Sequence, residues 1–215
     1  EELFVEPVIE VVEDDPANDE DTEETVTDAS EPCDFTLDNI EANSTIVINC
    51  ILDLEGATVT LPANVTILYE GGDIINGTLN FSDNSVISGE LLSATLTLSG
   101  STPQMKDTTF NFDPQRWGIV EGPTTSEIAL RNRDILEDMF VQAKAMGVIT
   151  FSIDKMDAYF EISKVTSTTS NQNWYPSVEA INIPSDFNLL MSDNTIIRTQ
   201  PNNRGNSGVL MAVRD

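Results

Sequence analysis

The chain has 215 residues, 40% of them hydrophobic, and 37 acidic against 10 basic side chains give a formal net charge of -27. Nucleic acid is excluded as a partner, because phosphate binding needs basic surface, and a bare anionic membrane surface is disfavoured for the same reason. The chain has no histidine, which removes Ser-His-Asp triads, histidine general bases and histidine metal ligands.

The charge is unevenly placed. No Lys or Arg precedes Lys106, so residues 1–105 carry 23 acidic and no basic residues, while residues 106–215 carry 14 acidic and 10 basic. Residues 1–32 are dominated by Asp and Glu after Val12, with Pro16 and Pro32 as breaks. Like charges repel and little there is apolar, so this stretch reads as a disordered, extended acidic tether. Its front, with Leu3, Phe4, Val5, Val8 and Ile9, is apolar enough to dock on something. Cys33 and Cys50 come next. Paired, they close a loop worth roughly 3 kcal/mol in the chain-entropy model. The alternative is two free thiols, and the Thr- and Asn-rich strand composition, which looks extracellular, favours pairing. Ile46 to Ile51 reads as a strand, forming either the first coil of a solenoid or a cap over its end.

From Ala57 to Phe112 the sequence repeats with a period near twenty residues. Asn64 to Ile67 falls on Asn84 to Ile87, and Gly77 to Phe81 falls on Ala94 to Leu98. Each unit holds short runs of alternating apolar and small polar residues separated by Gly, Asn, Asp or Ser. Alternation of period two means half-buried strands, and a repeat of several short strands per unit predicts a solenoid in which each coil stacks on its neighbours. Asn43, Asn64, Asn76 and Asn80 each open an Asn-x-Ser/Thr sequence. They serve either as glycosylation acceptors or simply as turn residues beside strand threonines.

Residues 113–123 hold two prolines, two glycines and Trp117, and predict an irregular connector. Trp117 is either a sugar-stacking platform or an anchor packing the connector on the core. Thr124 to Met146 predicts the one helix: Thr124 and Glu127 make a capping box. Ile128, Leu130, Ile135, Leu136, Met139, Phe140 and Ala143 make an apolar stripe, and Gly147 a left-handed stop. Asp134, Glu137 and Asp138 read as solvated charge. Short strands are expected at 148–153, 158–162, 180–184, 188–191, 195–198 and 208–213, with a polar loop at 163–177 that holds Trp174 and Tyr175. The expected organisation is a tether over 1–32, an N-terminal β-solenoid extension or cap over 33–112 and a connector over 113–123. Residues 124–215 then hold a helix and the first coils of a β-helix. Asp215 stands directly after a strand, which predicts the front part of a longer protein.

Five segments carry a resemblance. They are Ala143 to Gly147, Val148 to Ile153, Tyr159 to Ile162, Ile181 to Pro184, and Asn188 to Met191. Together they resemble the N-terminal entry of the pectate-lyase-like superfamily of right-handed parallel β-helix proteins, over about 80 residues. The usual Pro-x-Gly turn before the Tyr strand is replaced by Asp154 to Asp157. The resemblance implies a mainly β, right-handed parallel β-helix with one capping or inserted helix. It also implies polysaccharide, often acidic, as the ligand class, and Ca²⁺ as the metal some members use. It supplies no catalytic residue, because the family's catalytic coils come later. The acidic tether resembles the segment behind the lipidated cysteine of Bacteroidetes surface lipoproteins. That likeness implies an extracellular, outer-membrane-surface location, with a lipid anchor upstream of Glu1.

Three functions are compatible with this reading: a polysaccharide lyase or hydrolase; a non-catalytic adhesin, glycan-binding subunit or part of an outer-membrane assembly; and a tailspike-like trimer. No cofactor is identified and no segment is apolar enough to span a bilayer. Candidate glycan contacts are Trp174, Tyr175, Arg198 and Arg204, with Arg214 completing a late basic cluster. The pairs Asp154 with Asp157 and Asp186 with Asp193 are candidate acid/base or Ca²⁺ carboxylates. The repeat, lacking any basic residue, reads as a stalk or cap, and any ligand site is expected after Gly147.

Overall fold

The computed structural model of the chain describes residues 31–162, 180–201 and 211–214. In its first half the strands are short and every strand pairing is parallel. Strands β1 (Thr45–Ile48), β2 (Ile51–Asp53) and β3 (Thr58–Thr60) start three different sheets. The next round supplies β4 (Thr66–Tyr69), β5 (Asp73–Ile75) and β6 (Gly77–Phe81). The third supplies β7 (Val86–Ile87), a short 3₁₀ turn at Gly89–Leu91, and β8 (Leu96–Gly100), before β9 (Gln104–Met105). The sheets run β1-β4-β7-β9, β2-β5 and β3-β6-β8, so the chain visits three sheets in rotation. Parallel neighbours need a long crossover, and here the crossover of each sheet is the strands of the other two.

The register follows from burial. Ile46, Ile48, Leu52, Val65, Ile67, Ile74, Leu79 and Ile87 are buried, and their alternating neighbours face out. Pairing of Thr66 with Val86 bears out the alignment of Asn64 on Asn84. The next strand sits differently: Gly77 pairs with Leu96, two residues beyond the Ala94 expected from the repeat. A two-residue slip keeps every side chain on its own face, so alternation alone does not detect it.

The corners explain the asparagines. Asn43, Asn64 and Asn84 hold φ of 65°, 60° and 56°, the left-handed region that Asn tolerates better than most residues. Asn64 Nδ2 donates to Asn43 Oδ1 at 2.8 Å, tying successive corners together. Asn76 Nδ2 reaches Asp53 Oδ2 at 3.1 Å in the same manner. Gly72 is required by close approach, since a Cβ there would lie 2.4 Å from the Cys50 carbonyl oxygen. The Cys33–Cys50 disulfide is formed, with Cα atoms 5.1 Å apart. It fastens the segment Glu31–Cys33 beside β2, where Ile51 N donates to Glu31 O and Cys33 N to Ile51 O, both at 2.9 Å.

The second half holds two long strands among short ones. β10 (Thr109–Asn111) pairs with β11 (Thr150–Phe160), which pairs with β13 (Asn188–Thr199). β12 (Ile181–Pro184) pairs with β14 (Met211–Arg214). Asp154 to Asp157, expected as a turn, lies inside β11, and 188–191 and 195–198, expected as two strands, are one. The register shifts between Ile153 and Lys155: Ser192 and Asp193 stand opposite Asp154 alone, a β-bulge. Ser192 Oγ donates to Asp154 O, and Thr195 Oγ1 donates to Ile153 O at 2.7 Å, so side chains repair the disrupted ladder.

Helix α1 (Ser126–Ala145) is capped by Thr125, whose hydroxyl accepts from Ile128 N at 3.3 Å. The cap is thus one residue later than expected. Thr124 instead offers its carbonyl to Gln200 Nε2. The C-terminus ends as expected at Gly147, with φ of 86°. Gly147 N donates to Lys144 O and Val148 N to Ala143 O, the paired bonds of a Schellman motif. Leu136, Met139, Phe140 and Ala143 are buried as the stripe predicted, but Ile128, Leu130 and Ile135 are only half-buried, and Asn132 and Arg133 are buried instead. Asn132 Nδ2 donates to Val120 O and Tyr159 O, while its Oδ1 accepts from Val120 N. One amide therefore joins connector, helix and β11. Glu137, expected in solvent, accepts from Asn182 N and Nδ2 at 2.8 Å.

One hydrophobic cluster includes residues of both halves. At its centre Phe151 packs against Phe110, Phe112, Phe140 and Phe187 with ring centroids 4.7–6.0 Å away. Trp117 stacks on Phe112 at 6.4 Å, the anchoring role rather than the sugar platform. Arg116, beside it, grips Asp73 through two hydrogen bonds of 3.0 and 2.8 Å and so ties the connector to β5.

Candidate functional site

Two of the described residues that the sequence marked, Arg198 and Asp157, meet on the outer face of β11 and β13. In the register past the bulge, Asp157 stands opposite Ile196 and Tyr159 opposite Arg198. Side chains alternate faces, so all four project outward while Met156, Ala158 and Phe160 fill the core. Arg198 reaches back diagonally: Nε donates to Asp157 Oδ1 at 2.5 Å and Nη2 to Oδ2 at 2.9 Å. Its guanidinium carbon lies 5.9 Å from the Tyr159 ring centroid, within cation–π range. The Arg198 hydrogen bonds hold the Asp157 carboxyl below the usual carboxylate range, and Asp157 in turn raises Arg198. The connector borders this cluster, with Glu121 Oε1 accepting from Asp157 N at 2.8 Å and Gly122 N donating to Asp157 O at 2.8 Å.

The pair is open to solvent, with 41% of the Arg198 side chain and 46% of the Asp157 side chain exposed. Beside it Ile196, in register with Asp157, is an exposed apolar side chain on β13. The surface therefore offers an aromatic ring, a fixed guanidinium and one apolar neighbour along an extended sheet, elements that can hold an elongated polar ligand. Trp174, Tyr175 and Arg204, named with Arg198 as glycan contacts, lie outside the described residues, as does the side chain of Arg214.

The carboxylate pairs fare differently. Asp157 is occupied by Arg198 rather than facing Asp154, which sits in the bulge. Asp186, with φ of 50°, is in the turn before β13, and Asp193 is in the β13 half of the bulge; both are exposed. Among the described residues, no group of three or more His, Cys, Asp or Glu is arranged to hold a metal. Among the same residues no helix is long and apolar enough to cross a membrane, which says nothing of strands.

Tyr159 and Glu121 were not singled out from sequence as part of a site. Tyr159 carried a signal, standing in the Tyr strand of the family-like entry. Glu121 carried none, because its place beside Asp157 depends on how the connector crosses β11. No protein-family model, no curated protein and no solved structure matches the chain.

Proposed function

We propose that this chain forms the opening coils of a right-handed parallel β-helix that works at an extracellular, outer-membrane surface and binds or degrades polysaccharide along the β11–β13 face. The rotation of the chain through three parallel sheets supports the coil, and near-universal right-handed parallel crossovers support its hand. The Cys33–Cys50 disulfide supports an oxidising compartment. The observation that carries the functional reading is the Tyr159–Arg198–Asp157 cluster on an exposed parallel sheet. Tyr159 stacks on a sugar ring, and Arg198, oriented by Asp157, donates its remaining N–H groups to glycan hydroxyl or carboxylate oxygens.

A non-catalytic surface module, either an adhesin or an outer-membrane assembly subunit, is the second reading. Occupation of both Asp157 oxygens by Arg198 favours it, because that carboxylate is not poised to take a proton. Affinity electrophoresis in gels containing alginate or polygalacturonate tests the binding. The wild type is retarded in at least one, and Arg198→Ala loses about tenfold in affinity. Absence of retardation in both, or no difference for Arg198→Ala, sinks the site. Ultraviolet-absorbing unsaturated products released by the chain would decide for the lyase over the non-catalytic module.

A further inference from the structure

We infer a second carbohydrate surface in the first half of the chain, built for a neutral glycan, on the outer face of β3-β6-β8 and in the cleft beside it. The inference rests on the polysaccharide reading but on none of the residues of the β11–β13 face. In register, Thr58, Thr78 and Thr97 form one row across the sheet, and Thr60, Asn80 and Ser99 form a second. The residues between them, Val59, Leu79 and Leu98, belong to or pack on the core, so the six hydroxyl and amide side chains share the outward face. Asn80 holds the second row in place: its Nδ2 donates to Thr60 Oγ1 at 3.2 Å, and its Oδ1 accepts from Ser99 Oγ at 3.3 Å. None of the three strands contains a charged residue.

The rows repeat across the strands at about 4.8 Å. A pyranose unit advances a glycan chain by a similar distance, so a chain laid across the strands presents one sugar to each Thr-x-Thr, Thr-x-Asn or Thr-x-Ser pair. Such a match of ligand and surface period is absent on an irregular surface.

The face leads into a cleft. β8 is the last strand of its sheet among the described residues, and between it and the end of α1 lies a space of about 140 Å³. Leu98, Pro103, Ala145 and Met146 give it apolar walls, and Ser99 and Gln142 give it polar groups. That combination suits a single ring with hydroxyls at its rim.

Charge selects the class. Residues 31–105 hold acidic residues and no basic ones, and the cleft lies at the C-terminal, negative end of α1. Ser101 Oγ holds the Asp83 carboxylate nearby at 2.6 Å. A polyuronate is repelled from this half. A cationic peptide is drawn to the acidic corners rather than to a face without carboxylates. A neutral polysaccharide meets hydroxyl and amide partners and no repulsion.

The test is affinity electrophoresis of the 215-residue chain in gels containing hydroxyethyl cellulose, laminarin or galactomannan. Retardation is expected in at least one, and the double variant Thr97→Val, Ser99→Ala binds about tenfold more weakly there. Gln142→Ala, on a half-exposed helical position, gives a smaller loss and serves if the double variant misfolds by circular dichroism. The inference is overturned if no neutral gel retards the chain, or if neither the double variant nor Gln142→Ala, folded, weakens the retardation. Loss of neutral-gel binding in Arg198→Ala alone would move it to the β11–β13 face, overturning the second surface and leaving the first.

Discussion

The two halves of the molecule keep parallel strands in register by different means. Between Thr45 and Met105 the chain turns every few residues, and one corner of each round reuses the same chemistry: a left-handed Asn at 43, 64 and 84, bonded to the one before it where Asn64 meets Asn43. The core there is almost wholly aliphatic. After Asp113 the chain runs through where it would otherwise turn, bending β13 over β11 with a bulge. Its core sets buried phenylalanines among the aliphatic residues, and it buries Asn132, Arg133 and Glu161. A repeated corner specifies register locally. Long strands and a lone helix specify it only through tertiary hydrogen bonds and ring packing, so the second half depends more on single residues.

The largest expected effect tests that dependence. Phe151→Ala removes the ring at the centre of five aromatics and should cost about 4 kcal/mol, against about 3 kcal/mol for Leu79→Ala in the first half. Urea denaturation measures both, and a larger loss for Leu79→Ala would reverse the comparison. Because one cluster includes both halves, each variant should unfold in a single transition. Asn132→Ala strands Val120 N, Val120 O and Tyr159 O together and should cost about 3 kcal/mol. A cost within the range of ordinary surface substitutions, about 0.5 kcal/mol, would mean that the connector is held by other contacts.

How much of this was legible in the sequence follows the same division. The mainly β class, the parallel-repeat period and the Gly147 stop rest on local alternation, spacing and φ preference, the disulfide on composition, and each is present. The pairing of β8 was misplaced by two residues because such a slip preserves the in-out pattern. The cap was misplaced by one because Thr124 and Thr125 are both competent N-caps. Asn132 and Arg133 were invisible as buried residues, since polar side chains at helical spacing look like a solvated face until their partners are known. Asp154 to Asp157 has turn composition, and only the two-for-one bulge with Ser192 and Asp193 lets the strand continue. The Arg198–Asp157 pair needs that bulged register, so the sequence marked both residues but not their pairing.

The disulfide sharpens the comparison at the other end of the chain. Replacing Cys33 and Cys50 by Ser should lower stability by roughly 3 kcal/mol in the chain-entropy model. Thermal melting with and without reductant measures it. The reductant should shift the wild type toward the variant and leave the variant unmoved. Gly147→Ala should cost about 2 kcal/mol, because φ is 86° and the new Cβ would lie 2.7 Å from Gln104 Oε1. Since that oxygen ends a flexible side chain, Gln104→Ala in the same background should recover the steric share and leave the backbone share. Full recovery would show that φ carries no strain there.

The smallest effect concerns the ion pair on the proposed glycan face. Asp157 is held below its ordinary value by Arg198. A carboxyl with a depressed folded-state pKa stabilises the fold above its unfolded value, and that contribution is lost as pH falls through the depressed one. The stability difference between wild type and Asp157→Asn should therefore be flat from pH 7 down to about 4, the ordinary carboxylate range, and shrink below it. Its size should be less than for any substitution above, because both partners face solvent, and salt should reduce it further. A difference that persists undiminished in strong acid would mean that the amide side chain disturbs the β11 backbone, where Glu121 and Gly122 bond to residue 157. The ion pair would then orient Arg198 without stabilising the fold, and the loss of glycan affinity in Asp157→Asn, with Arg198 intact, would measure that orienting role by itself.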